Sequence, residues 1–221
     1  MSTSTQPQPL AAGTKEKLLD AAEALFAEHG VHRASLRAIT QKAGANLAAV
    51  NYHFGSKEEL LRAVLARRLT PINRERLALL DRALASGTPS TEEIVRAFIA
   101  PVLTMVRREP GGHAFARFIS RTFSEPDAEL RALILEAFED VVQRFTGALR
   151  QALPHLAEDE SYWRFLFMVG AMAHAAGFGF LTQQLSGGVC DPGDAEGVID
   201  RLTAFLVGGL EAPGAVGETL R

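Results

Sequence analysis

Between residues 46 and 57 the chain sets Asn46, Asn51, Tyr52, His53 and Lys57 around the small residues Ala48 and Ala49. These groups are suited to touching nucleic acid, not to breaking bonds. A carboxamide such as that of Asn51 can pair with the N6/N7 edge of adenine. Tyr52 and His53 can donate to phosphate oxygens. Ala48 and Ala49 are short enough for the backbone to press into a groove, where their methyls can meet those of thymine. Lys57 opens the next helix, where exposed amides and the helix dipole also favour an anion.

Such groups work only if the elements beneath them hold the right faces outward. Apolar residues recur at helical spacing throughout, and no strand alternation is sustained. A first helix is expected over 14–28, with Leu18, Ala22, Leu25 and Phe26 on one face and His29-Gly30 ending it. Ser35 can cap a second helix whose Leu36, Ile39 and Ala43 point inward, and Gly44 breaks it. Asn46 can cap a short third helix to about His53, with Val50 inside and Phe54 closing it. Its outward residues are then Asn46, Leu47, Ala48, Ala49, Asn51, Tyr52 and His53. Helix, glycine turn and short helix form the helix-turn-helix arrangement, whose second helix enters the major groove. Ser56-Lys57-Glu58-Glu59 reads as a capping box opening a long helix, bent at Pro71, that fades near Ser86.

The rest has the same grammar. Ser90-Thr91-Glu92-Glu93 opens a helix to about Arg108, and further helices are expected over 113–124, from Pro126 to about Leu153, over 158–185 and over 195–210. The fold class is therefore all-α. An N-terminal three-helix helix-turn-helix domain covers 14–60, a helical effector-binding and dimerisation domain covers 61–212, and tails lie at 1–13 and 213–221.

Ser35-Leu36-Arg37-Ala38-Ile39-Thr40, Ala43-Gly44 and above all Val50-Asn51-Tyr52-His53-Phe54-Gly55-Ser56-Lys57-Glu58-Glu59-Leu60 resemble the DNA-binding domain of the TetR family of transcriptional regulators. The resemblance covers about residues 14–60. It implies a homodimer, usually a repressor, with one recognition helix in each half-site of a palindromic operator. It also implies phosphate contacts from Tyr52, His53 and Lys57, with Ser35 and Arg37 adding to them. Many members carry Gly-x-Leu-Tyr where this chain has Ala48-Ala49-Val50-Asn51. The variant here looks like the PsrA branch, whose members respond to fatty acids, and Tyr162-Trp163-Arg164-Phe165 is similar to that branch too.

Charge agrees with a divided molecule. The chain of 221 residues has a net charge of −3, but residues 1–76 carry 11 Lys/Arg against 7 Asp/Glu, and the remainder carries 12 against 19. A basic N-terminal part thus precedes an acidic one. The single cysteine, Cys190, excludes an internal disulfide and a multi-cysteine zinc cluster, and reads as an ordinary loop thiol. The Ser/Thr/Gln/Pro-rich start lacks the basic and apolar regions of a signal peptide, so a cytoplasmic protein is expected. Phe165 to Leu181 is almost wholly apolar but falls short of the roughly 20 residues of a membrane span. Its Gly/Ala content suits a buried or dimer-forming helix, and the helices over 158–185 and 195–210 are the expected dimer interface.

Most of the 13 Phe lie after residue 76, in the part where a helical bundle would hold a ligand between facing helices. Phe115, Phe118, Arg121, Trp163, Phe167 and His174 are the residues expected to meet a small apolar effector. An aromatic tunnel would suit an acyl chain, and Arg117, Arg121 or His174 a polar head. Two other readings stand beside this one: a DNA-binding regulator without small-molecule control, and an enzyme using the apolar pocket. No nucleophile elbow, phosphate-cradling glycine loop or His-Glu-x-x-His pair supports the enzyme, and no cofactor or metal is expected.

Overall fold

The structure is a computed structural model and describes residues 9–122 and 128–214, with residues 9–12 described by their backbone alone. All the described elements are helices: α1 (Pro9–His29), α2 (Leu36–Ala43), α3 (Leu47–His53), α4 (Lys57–Ala85), α5 (Thr91–Arg108), α6 (Gly112–Thr122), α7 (Ala128–Ala152), α8 (Glu158–Leu185) and α9 (Ala195–Glu211). The expectations for residues 1–8 and 215–221, and for Phe123, Ser124 and Pro126, fall outside the described residues.

Three local features of these helices, the first and third of them differences from the sequence expectation, have physical reasons. Helix α1 starts at Pro9, not Thr14. Proline suits the first helical turn, where its missing N–H is no loss, and Ala11 and Ala12 are the best helix formers. Helix α4 runs unbroken through Pro71, which faces solvent, so water can serve the carbonyl that proline leaves without a donor. Helix α8 is interrupted at Phe178, whose backbone (φ −124°, ψ 18°) leaves the helical region between Gly177 and Gly179.

The first three helices pack as a small head. Leu18, Ala22 and Phe26 of α1 are buried together with Ile39 of α2, Val50 of α3 and Leu60 and Val64 of α4. Beyond the head, α4, α5, α7, α8 and α9 enclose the larger core. Phe98 of α5 is its hub, meeting Phe145 (5.2 Å between ring centroids) and Phe165 (5.1 Å) edge-on. Arg164 of α8 donates to the carbonyls of Leu210 and Ala212 (both 2.6 Å) and of Pro213 (3.0 Å), a cationic cap where α9 leaves its last carbonyls bare.

Among the described residues, an aromatic stack and an ion-pair cluster join the head to this core. Phe26 of α1 stacks on Phe118 of α6 at 6.0 Å. Beside it Glu23, only 4% exposed, takes both arginines of α4: Arg67 Nη2 at 2.6 Å and Arg68 Nη2 at 2.8 Å. Arg68 also donates to Glu109 (2.7 Å) and to the Pro110 carbonyl (2.7 Å) in the turn before α6. One buried carboxylate therefore ties α1, α4 and the α5–α6 turn together.

Candidate nucleic-acid interface and effector cavity

The short helix α3 is held by caps at both ends. Asn46 Oδ1 accepts from the Ala49 amide (2.9 Å), and the Gly55 amide reaches back to the Val50 carbonyl (3.2 Å). The preceding turn depends on Gly44, which sits in the left-handed region (φ 63°) while the Ala45 amide closes on the Thr40 carbonyl at 2.9 Å. Burial of Val50, Ile39 and Phe54 fixes the rotation of α3, because its apolar positions can face only inward. Leu47, Ala48, Asn51 and Tyr52 are then exposed, Tyr52 to 81%, and Ala49 is partly covered.

The remaining expected contacts surround that face. His53 is half-buried, with its ring edge-on to Tyr52 at 4.9 Å, which limits where the phenol can swing. Ser56 caps α4, its hydroxyl accepting from the Glu59 amide at 3.1 Å, so Lys57 stands in the first turn of that helix. Partial burial holds the Lys57 ammonium below the ordinary lysine value, with Glu58 opposing. Arg37 is exposed at the start of α2. Ser35 is exposed too, but its hydroxyl already accepts from the Ala38 amide (3.1 Å) as the cap of α2. Asn46 and Ser35 thus have structural work of their own, while Asn51 and Tyr52 face outward.

Away from the head, an apolar cavity of about 60 Å³ lies among α4, α5, α6, α7 and α8. Ile72, Val102, Phe115, Ile119 and Phe138 line it, together with Arg76. Of the six residues expected to meet an effector, Phe115 is on this wall. Phe118 is buried against Phe26 and Phe115 instead. Arg121 reaches the Glu28 carbonyl of α1 at 3.5 Å. Trp163, Phe167 and His174 point away from the cavity onto the exposed outer face of α8, where Trp163 stacks on Phe167 and His174 on Phe178. The helical repeat explains this: positions 163, 167 and 174 share one stripe, whereas Phe165, Met168 and Met172 hold the inward stripe.

Sequence reasoning passed over Arg76 and Glu23. Arg76 occupies an apolar position in the inward series Leu65, Leu69, Ile72, Arg76, Leu80, and a charge in such a stripe was the available signal. A second, open groove of about 720 Å³ runs between α4 and α7; it shares Leu69 with the cavity lining, and its Asn73 accepts from the cavity's Arg76 at 3.3 Å.

Comparison with known proteins agrees with this geometry. Residues 18–64 match the family of bacterial regulatory proteins of the tetR type, and residues 96–209, more than half of the chain, match the tetracyclin repressor-like C-terminal domain. The chain belongs to the TetR family. Among curated relatives of this TetR-family protein, the HTH-type transcriptional regulator SrpR of Pseudomonas putida is 44% identical over 59 residues, which cover 27% of this chain and 28% of SrpR. UidR of Escherichia coli K12, also an HTH-type transcriptional regulator, is 30% identical over 131 residues, 55% of this chain and 64% of UidR. The chain thus matches less than two thirds of the length of either relative. Among solved structures, the regulator FadR of Bacillus subtilis in complex with stearoyl-CoA shares the fold at a TM-score of 0.64 and 16% identity, over 88% of this chain and 98% of FadR. The TetR-family head is that of a DNA-binding transcriptional regulator.

Proposed function

We propose that this TetR-family regulator is a homodimeric, cytoplasmic repressor that leaves a palindromic operator when a small apolar effector enters residues 61–212. The observation that carries the reading is α3, a capped helix with its apolar side locked inward and Asn51 and Tyr52 outward. The stripe of Trp163, Phe167, His174 and Phe178 on α8, with Phe205 exposed on α9, is the face for the second copy. An obligate interface of this kind resembles a core cut in half. α8 is also long and apolar enough to cross a membrane by length and composition alone, but Arg164, buried and bound to the end of α9, fits a helix in a folded bundle better.

Control follows from contiguity. Phe115 and Ile119 of α6 line the cavity, Phe118 of α6 stacks on α1, and Lys15 of α1 lies 6.0 Å over the ring of Phe54, which ends α3. An effector that shifts α6 then turns the head. Half-sites on one DNA face lie about 34–36 Å apart, so a change of a few ångströms between recognition helices loses one set of contacts. Linkage requires DNA to weaken effector binding by the same factor.

The cavity volume favours a second reading, regulation without an effector. At about 60 Å³ the cavity is far smaller than the roughly 300–1,000 Å³ of ordinary ligand sites and does not hold an acyl chain in this conformation. Fluorescence anisotropy on DNA from upstream of the protein's own gene, at fixed salt, tests both. Long-chain fatty acids and their CoA thioesters are titrated first, because of the likeness to FadR. Tyr52→Ala with Lys57→Ala should weaken binding at every sequence and flatten the salt slope, whereas Asn51→Ala should change sequence preference. Unchanged binding in both variants would remove α3 as the reading helix.

A further inference from the structure

We infer that the cavity, once widened toward the adjoining α4–α7 groove of about 720 Å³, is a site for an apolar organic acid, with the Arg76 guanidinium as the counter-charge for its carboxylate. The inference rests on the effector-controlled reading and names the ligand class of that site. Arg76 is 1% exposed and stands on the cavity wall. Among the described residues no carboxylate pairs with it. Its bonds are Nε to the Phe98 carbonyl (2.8 Å), Nη1 to Asn73 Oδ1 (3.3 Å) and Nη2 to the thioether of Met172 (3.2 Å), while the Phe98 ring lies 4.1 Å from the guanidinium carbon. All of these partners are neutral.

A guanidinium has five N–H donors, and these three bonds leave two of them without an acceptor, with a thioether as the weak partner of a third. Burial pushes the Arg76 pKa down to about 9, so the group remains a cation at neutral pH. A buried cation without a counter-ion costs stability, and an apolar side chain of similar volume would pack this core better. The geometry that makes it poor structure makes it a good receptor. The free N–H groups are preorganised in a fork, low dielectric strengthens any ion pair formed there, and Ile72, Val102, Phe115, Ile119 and Phe138 offer an apolar body its contacts. A carboxylate fits this fork in a bidentate manner, and an uncharged ester or alcohol leaves the cation uncompensated.

Asn73 shows how such a ligand enters. It bonds Arg76 through Oδ1 and the Ala137 carbonyl of α7 through Nδ2 (2.7 Å), and it also lines the open α4–α7 groove. Its side chain thus touches both the groove and the guanidinium, and its displacement would uncover Arg76 from the groove side.

The test is thermal shift and calorimetry on the full chain with sodium butanoate, hexanoate, octanoate, decanoate and benzoate. Methyl octanoate, octanol and methyl benzoate serve as the uncharged counterparts. The expected result is that at least one acid raises the Tm by several degrees at about a hundred times its Kd, while its uncharged counterpart does not. Arg76→Met should weaken that acid by about 10- to 100-fold, and Arg76→Lys by less. The proposal falls if no acid shifts the Tm up to about 10 mM, a range in which even millimolar sites respond, if the uncharged counterparts shift it equally, or if Arg76→Met binds acid as the wild type does. Should Arg76→Met not fold, the comparison of acid with uncharged counterpart on the wild-type chain still decides. Operator binding by the wild-type chain without acid is measured in parallel. Acid binding with no site recovered from a randomised DNA pool would overturn the operator reading and keep the anchor, and DNA binding without acid binding would do the reverse.

Discussion

Replacing Glu23 by Gln should loosen the joint between head and core by about 2–3 kcal/mol. Removing one partner of a buried ion pair typically costs about 3–5 kcal/mol, because the other charge is left buried and uncompensated. Here three features reduce that figure. Arg67 and Arg68 are 22% and 14% exposed, so water reaches both. Arg67 keeps Asp20 at 2.7 Å, and Arg68 keeps Glu109 and the Pro110 carbonyl. The Gln carboxamide can still accept from one arginine. Urea unfolding at fixed protein concentration measures the change, since dimerisation makes apparent stability depend on concentration. A cycle with Arg68→Met isolates the pair, and the double variant should lose about 1 kcal/mol less than the sum of the singles. A Glu23→Gln variant within about 0.5 kcal/mol of wild type, the usual range for surface changes, or strict additivity in the cycle, would refute the claim that this carboxylate joins the two parts.

Two further outcomes are expected. Phe167→Glu places a charge on the exposed α8 stripe, where Phe167 is 64% exposed in the single chain. An interface hot spot is worth about 2 kcal/mol or more, and two-fold symmetry counts it twice, so the dimer should weaken by roughly a thousandfold in sedimentation; an unaltered dimer would move the interface elsewhere. Glu93 is held below the ordinary glutamate value by the Ser90 amide first and the Ser90 hydroxyl second. Its folded value is depressed, so its contribution is present above the unfolded glutamate value of about 4.3 and lost as pH falls through the folded value. Acid titration of helicity should show a shallower loss over that window in Glu93→Gln than in the wild type, and identical profiles would discount the reciprocal Ser90–Glu93 cap of α5.

What the sequence made legible and what it hid follow from the range of the interactions. The head could be read because its determinants are local. Ser35, Asn46 and Ser56 each bond an amide three residues on, and Gly44 answers a backbone angle that no neighbour far along the chain can alter. Even there, the extension of α1 to Pro9 was missed, because a polar, proline-bearing start reads as a tail until Ala11 and Ala12 are weighed as helix formers. The cavity depends on contacts that link distant stretches of chain: Arg76 with Phe98 and Met172, and Asn73 with Ala137. Periodicity identifies two stripes on an apolar helix such as α8 but does not say which faces the core. Periodicity alone therefore allows Trp163, Phe167 and His174 on an effector wall, while the structure sets them on the outer stripe.

The half-buried and the fully buried arginines of α4 show why composition cannot replace position. Arg67, Arg68 and Arg76 lie on one helix, within about three turns of each other. Glu23 gives the first two a shared anion, and their charge becomes structure. The third is one turn beyond Ile72 on the apolar stripe, and among the described residues the core offers it a carbonyl, a carboxamide, a thioether and an aromatic face, all neutral. A helix propensity scale treats all three alike, since arginine is a good helix former at any of these sites. Only packing separates them, and it does so by the presence or absence of a carboxylate within reach. Helix α4 therefore carries two charge relationships of opposite kind, one satisfied at the joint with the head and one open toward the cavity. Any acid that closes the second acts on the helix that holds the first.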